Sequence, residues 1–157
     1  MRRDYFTLDV RDVDWVEADD LPEKPSVIID FEGPASLLQE RITGERAALL
    51  DETEIDVSFR FLTPLDEDDA EGVVSVTNRV TGDYILELNT PAERIIDFIR
   101  TAAEYGRSVS EKDHRYDIEL RIEGAPVVTY EKRTFLIYNR DGNLLREYSL
   151  IPSGVEL

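Results

Sequence analysis

Cysteine is absent from all 157 residues, which excludes disulfides, thiol nucleophiles and thiolate metal sites. Histidine occurs once, as His114, so transition-metal sites of ordinary His/Cys composition are excluded too. Lysine is nearly as scarce: of 18 basic residues only Lys24, Lys112 and Lys132 are lysine. No apolar run approaches the roughly 20 residues that span a bilayer. Met1-Arg2-Arg3 lacks the apolar stretch that follows the basic start of a signal peptide. The expected location is therefore the cytoplasm, without membrane contact. Gly-x-Ser-x-Gly, the phosphate loop ending in Gly-Lys-Ser/Thr and Gly-x-Gly-x-x-Gly are all missing. The signatures of the common serine hydrolases, P-loop proteins and dinucleotide binders are thus lacking, and no cofactor is expected.

Acid is abundant instead. Asp and Glu number 35, and the formal net charge is −17. Self-repulsion at that charge works against a compact state in dilute salt. In molar salt the screening length falls to about 3 Å and most of the penalty disappears. Excess carboxylate with little lysine reads as adaptation to high salt. The competing explanations are an ordinary acidic protein and an acidic disordered segment, and recurrent apolar periodicity along the whole chain argues against disorder. The length suits one domain over residues 1–157, with a core that needs no staple.

Alternation marks the strands. Tyr5, Thr7 and Asp9 oppose Phe6, Leu8 and Val10. A loop from Asp12 to Lys24 follows, with Trp15 held against the core. Val27-Ile28-Ile29 opens a second strand that stops at Gly33-Pro34. Ala35 to Ile42 has helical spacing, with Gly44 as its stop. Glu54 to Leu62 places Ile55, Val57, Phe59 and Phe61 on one face. Val73 to Leu88 reads as a hairpin about Thr81-Gly82-Asp83. The strongest helix then begins, with Thr90 as N-cap, Pro91 at the first position and Glu93 completing a capping box. Ala92, Ile95, Ile96, Ile99, Ala102 and Ala103 form its stripe, and Gly106 is the expected C-cap. Tyr116, Ile118, Leu120 and Ile122 alternate with charged residues. Val127 to Tyr138 and Leu144 to Ile151 form a last hairpin about Asp141-Gly142. The expected fold is α+β, an antiparallel sheet of strands and hairpins packed on one main helix. A single sheet would show one charged face to solvent and its apolar face to the helix.

Four stretches are distinctive: Arg2-Arg3-Asp4-Tyr5-Phe6-Thr7-Leu8-Asp9-Val10-Arg11; Ser75-Val76-Thr77-Asn78-Arg79 with Gly82-Asp83; Lys132-Arg133-Thr134-Phe135-Leu136; and Ser149-Leu150-Ile151-Pro152-Ser153-Gly154-Val155-Glu156. Together they resemble a family of small haloarchaeal proteins classed as a domain of unknown function. The resemblance spans nearly the whole chain. It implies high salt and a single domain, and it carries no catalytic residue, ligand or partner.

Several residues invite a chemical reading. Asp30 and Glu32 end the apolar strand Val27-Ile28-Ile29 as Asp-x-Glu, like the first motif of the Asp-Glu-Asp-Asp 3′–5′ exonucleases. Two carboxylates at a strand end are able to hold a divalent metal that activates water. At this acid content, chance alone supplies about seven acid-x-acid spacings. The later Tyr-x-x-x-Asp or His-x-x-x-x-Asp motif is missing: Tyr105 leads to Val109, and His114 to Glu119. Glu67, Asp69 and Glu71 before Gly72 approach a calcium loop, but the twelfth place holds Asn78 instead of a bidentate Glu. His114, in a charged connection, is a general base or an exposed loop residue. Lys132, Arg133 and Arg140 form a basic patch, read as an outward strand face paired with Glu119 or Glu147. Direct nucleic-acid binding by the whole surface is disfavoured by charge. Leu150, Ile151, Pro152, Val155 and Leu157 make an apolar cluster expected to dock on the parent core or on a partner. The reading that follows is a non-catalytic protein-interaction or accessory module, with a protein partner or a homodimer and the C-terminal strand and tail as the contact surface. The competing reading is a divalent-metal phosphodiesterase using Asp30 and Glu32.

Overall fold

The alternating runs become strands that bury one face. The computed structural model describes residues 3–44, 47–110 and 114–152. In chain order they form β1 (Phe6–Arg11), α1 (Trp15–Ala18), β2 (Ser26–Phe31), α2 (Ala35–Arg41), β3 (Ile55–Phe61), β4 (Glu71–Asn78), β5 (Tyr84–Pro91), α3 (Ala92–Ser110), β6 (Tyr116–Ile122), β7 (Ala125–Lys132) and β8 (Leu136–Tyr138). β3 buries Ile55, Val57, Phe59 and Phe61 and exposes Asp56 and Arg60. β6 buries Tyr116, Ile118, Leu120 and Ile122 in the same way. The class is α+β, with eight strands among the described residues and one long helix.

The strands divide into two four-stranded sheets, β1-β2-β6-β7 and β5-β4-β3-β8, where a single sheet was expected. The β2–β6 and β3–β8 pairings are parallel. Short turns force antiparallel pairing only on strands adjacent in the chain. Strands brought together from far apart are free of that rule. β2 lies inside its sheet, so Val27, Ile28 and Ile29 are all buried. A continuous apolar cluster takes side chains from both sheets and from α3.

The last expected hairpin is also different. β7 ends at Lys132, the chain bends at Arg133, and β8 crosses to the other sheet beside β3. The turn itself forms: Gly142 has φ 85°, and Asn139 Oδ1 accepts from the Asp141 and Asn143 amides at 3.0 and 2.9 Å. The returning limb is not a strand. It makes isolated bridges at Leu144 and Leu150, with a 3-10 turn over Arg146–Tyr148 between them. The Ser149 hydroxyl accepts from the Ile137 amide and donates to the Leu145 carbonyl, so a side chain occupies a ladder position.

Helix α3 buries Ala92, Ile95, Ile99 and Ala102 as the spacing predicts, and adds Phe98. Neither of its expected ends is made that way. The Thr90 hydroxyl is buried and has no hydrogen-bond partner among the described residues, so it caps nothing. Gly106 is not a C-cap, because the helix runs to Ser110. A Cβ on Gly106 would sit 2.5 Å from His114 Cα, so the glycine lets the chain pass close against the helix. Beyond it, Phe98, Tyr116 and Phe135 stack as a trio with centroid spacings of 5.4, 5.6 and 6.3 Å. The Tyr116 hydroxyl donates to the Thr134 carbonyl at 2.8 Å, which fixes the bend between β7 and β8. Burial holds that phenol well above its ordinary pKa.

Candidate interaction groove

Three of the titratable side chains singled out in the sequence, Asp30, His114 and Lys132, have a structural task. Asp30 is half-buried in β2, and its Oδ1 accepts from the Gly124 amide at 2.9 Å, tying down the β6–β7 turn. Glu32 lies just past the strand, exposed, while its amide donates to the Tyr5 carbonyl. No third carboxylate joins them: among the described residues no group of three or more His, Asp or Glu is arranged to hold a metal ion. The same finding covers Glu67, Asp69 and Glu71. His114 is half-buried rather than exposed, with Nε2 at 2.9 Å from the Ile151 carbonyl oxygen.

The residues of the expected basic patch differ in their surroundings. Lys132 Nζ donates to the carbonyls of Glu52 and Ile55 at 2.7 and 2.9 Å, and burial lowers its pKa. Arg133 is exposed at the bend after β7, and Arg140 is exposed in the turn after β8. Glu119 pairs with Arg121 instead of with Lys132. The denser ionic site is elsewhere. Lys24 Nζ sits 2.7 Å from Glu131 and 3.1 Å from Asp117, and Arg115 lies 3.7 Å from Glu131. The hydrogen bond from Lys24 is the main cause of the lowered Glu131 pKa. Burial pulls Lys24 down, but its two carboxylate partners outweigh that and leave it raised.

Of the C-terminal apolar cluster, Leu150 packs in the core of its own chain and exchanges both backbone hydrogen bonds with Phe135 at 2.9 Å. Ile151 and Pro152 are half-buried. Val155 and Leu157 lie outside the described residues.

The feature that sequence reasoning missed is a groove of about 520 Å³ between the β3–β4 connection and the first turns of α3. Three contacts shape it. The Leu62 amide donates to the Glu71 carbonyl, the Ala92 amide to the Ala70 carbonyl, and the Glu71 amide to Thr63 Oγ1. Gly72 allows the tight return, since a Cβ there would collide with the Phe59 ring. The floor is apolar, from Phe61, Leu65, Ala92 and Ile96. The rim carries Glu67, Asp68, Asp69, Glu71, Glu93 and Asp97. Of these only Asp97 has an ion-pair partner among the described residues, Arg100 at 3.8 Å. A second hollow of about 400 Å³ shares Pro91, Glu93 and Asp97 and adds Val10, Val13 and Phe98, so α3 begins as a ridge between two recesses.

Over residues 1–157 the chain matches, and so belongs to, the family of unknown function DUF5793. No curated protein and no solved structure matches it.

Proposed function

We propose that this member of DUF5793 is a non-catalytic protein-interaction or accessory module of a salt-rich cytoplasm, and that the groove beside α3 is its contact surface. The observation that carries the reading is the groove itself, in which an apolar floor lies under a rim of carboxylates. Such a floor favours burial under a partner, and a polar rim is the usual surround of such a patch. Leu65 is 40% exposed, which leaves it available for contact. The side chains suited to proton transfer support the same reading from another direction. Asp30, His114 and Lys132 hold a turn amide and backbone carbonyls. No helix among the described residues is long and apolar enough to cross a membrane, in keeping with a module that works away from the bilayer.

A photo-crosslinking residue at position 65 of the full chain, expressed in its host and irradiated in molar KCl, tests the proposal. A discrete crosslinked partner is expected at 65 and not at Val80, an exposed control in the β4–β5 turn. Equal crosslinking at both positions, or none at 65, would remove the groove from the account.

A further inference from the structure

We infer that the groove's occupant is a cationic segment of a partner protein, carrying arginine or lysine together with apolar side chains. The inference rests on the interaction-module reading and adds the chemistry of the partner. Charge complementarity carries it. The thirteen residues around the groove include six carboxylates and one guanidinium, a net charge of −5. Thirteen residues at this chain's average charge, −17 over 157, would carry about −1.4. The groove is therefore more acidic than the chain average.

That excess is also unneutralised. Elsewhere Lys24, Arg107 and Arg121 pair with carboxylates, while Asp12, Asp14, Asp20 and Glu23 are, like most of the groove's carboxylates, without ion pairs among the described residues. Glu67, Asp68, Asp69, Glu71 and Glu93 make no ion pair among the described residues; three of them lie in the β3–β4 connection and Glu71 opens β4. The geometry selects among cations. A metal ion does not fit, since no three-carboxylate group is arranged for one among the described residues. A small polyamine would meet the rim but leave Leu65 and Ile96 uncovered. A peptide segment with both kinds of side chain meets rim and floor together. Screening at molar salt leaves only contact-range pairing, so the floor supplies affinity there and the rim supplies discrimination.

The test uses the full chain and fluorescence anisotropy in about 2 M KCl, where the screening length is a few ångströms. The probes are a short labelled peptide alternating Arg and Leu, and a twin with every Arg replaced by Gln. Spermine serves as competitor. The Arg–Leu peptide is expected to bind at least about tenfold tighter than its twin. Leu65→Ser should weaken it about tenfold, and the combined Glu67→Gln, Asp69→Asn, Glu71→Gln variant should erase most of the preference over the twin. Circular dichroism of each variant checks that the fold is kept. Equal binding of the two peptides would overturn the cationic assignment while leaving the module reading intact. Displacement by spermine at matching concentration would overturn it in favour of a small polycation. If neither peptide binds, the assignment fails; crosslinking at position 65 then decides whether the module reading falls with it.

Discussion

At the scale of single residues, two buried hydroxyls without partners among the described residues bear on stability, and for Thr90 the sign is opposite to the one its place before a helix suggests. As an N-cap, Thr90 would cost about 1 kcal/mol to replace. As an unpartnered buried hydroxyl in β5, it costs stability where it stands. Thr90→Val keeps the branched shape and should raise stability by about 1 kcal/mol, read by thermal melting; a loss of similar size would restore the cap. Tyr130 is the second case. Burial, reinforced by the Glu54 and Asp51 carboxylates, pushes its phenol up to about 12. The folded state then keeps a proton that the unfolded chain releases above pH 10, so stability falls as pH rises from 10 towards 12. Lys24 and Lys132 also titrate in the alkaline range, the first with its pKa raised and the second with its pKa lowered, which makes the difference between proteins the useful quantity. Tyr130→Phe should show a shallower decline in melting temperature than the parent over that window. Parallel curves would show that Tyr130 contributes nothing to the decline.

At the scale of elements, what the sequence makes legible is what local periodicity controls. β3 and β6 follow strict alternation because one face of each is buried. The stripe of α3 is legible for the same reason, but its end is not. Gly106 reads as a stop because glycine is a poor helix former, and only the later passage of His114 explains its presence inside the helix. β8 has three residues, too few for a period, and its partner β3 is remote in the chain. The segment after it was legible as apolar, though not as irregular. Its docking gives a direct prediction. Leu150→Ala should lower stability by about 2–5 kcal/mol through the cavity left in the core, with the solution mass unchanged by light scattering. A change of mass at unchanged stability would assign Leu150 to an intermolecular contact.

At the scale of the whole molecule, the groove was illegible because its halves are read separately, as an acidic loop and as a helix start. The Ala92–Ala70 hydrogen bond that joins them is a tertiary fact. Asp30 and Glu32 fail for a related reason: a strand end suggests a site, but a metal needs a third ligand brought from elsewhere. Net charge, by contrast, is a property of composition. As KCl falls from molar towards about 0.1 M, screening lengthens to roughly 10 Å and the −17 charge should cooperatively unfold the chain. Circular dichroism and emission from Trp15, the single tryptophan, would follow it, and an unchanged thermal midpoint in low salt would refute the high-salt reading. The parallel seam between β2 and β6 has a further consequence, for the order of events during folding. Ser26 pairs with Asp117, with α2, β3, β4, β5 and α3 lying between them in the chain. A seam closed over such a distance forms late, and folding dominated by remote contacts is slow, on the order of milliseconds to seconds. During synthesis, β1 and β2 are complete long before β6 leaves the ribosome. Val27, Ile28 and Ile29 then line an open strand edge, and the nascent chain is most prone to aggregation in that interval.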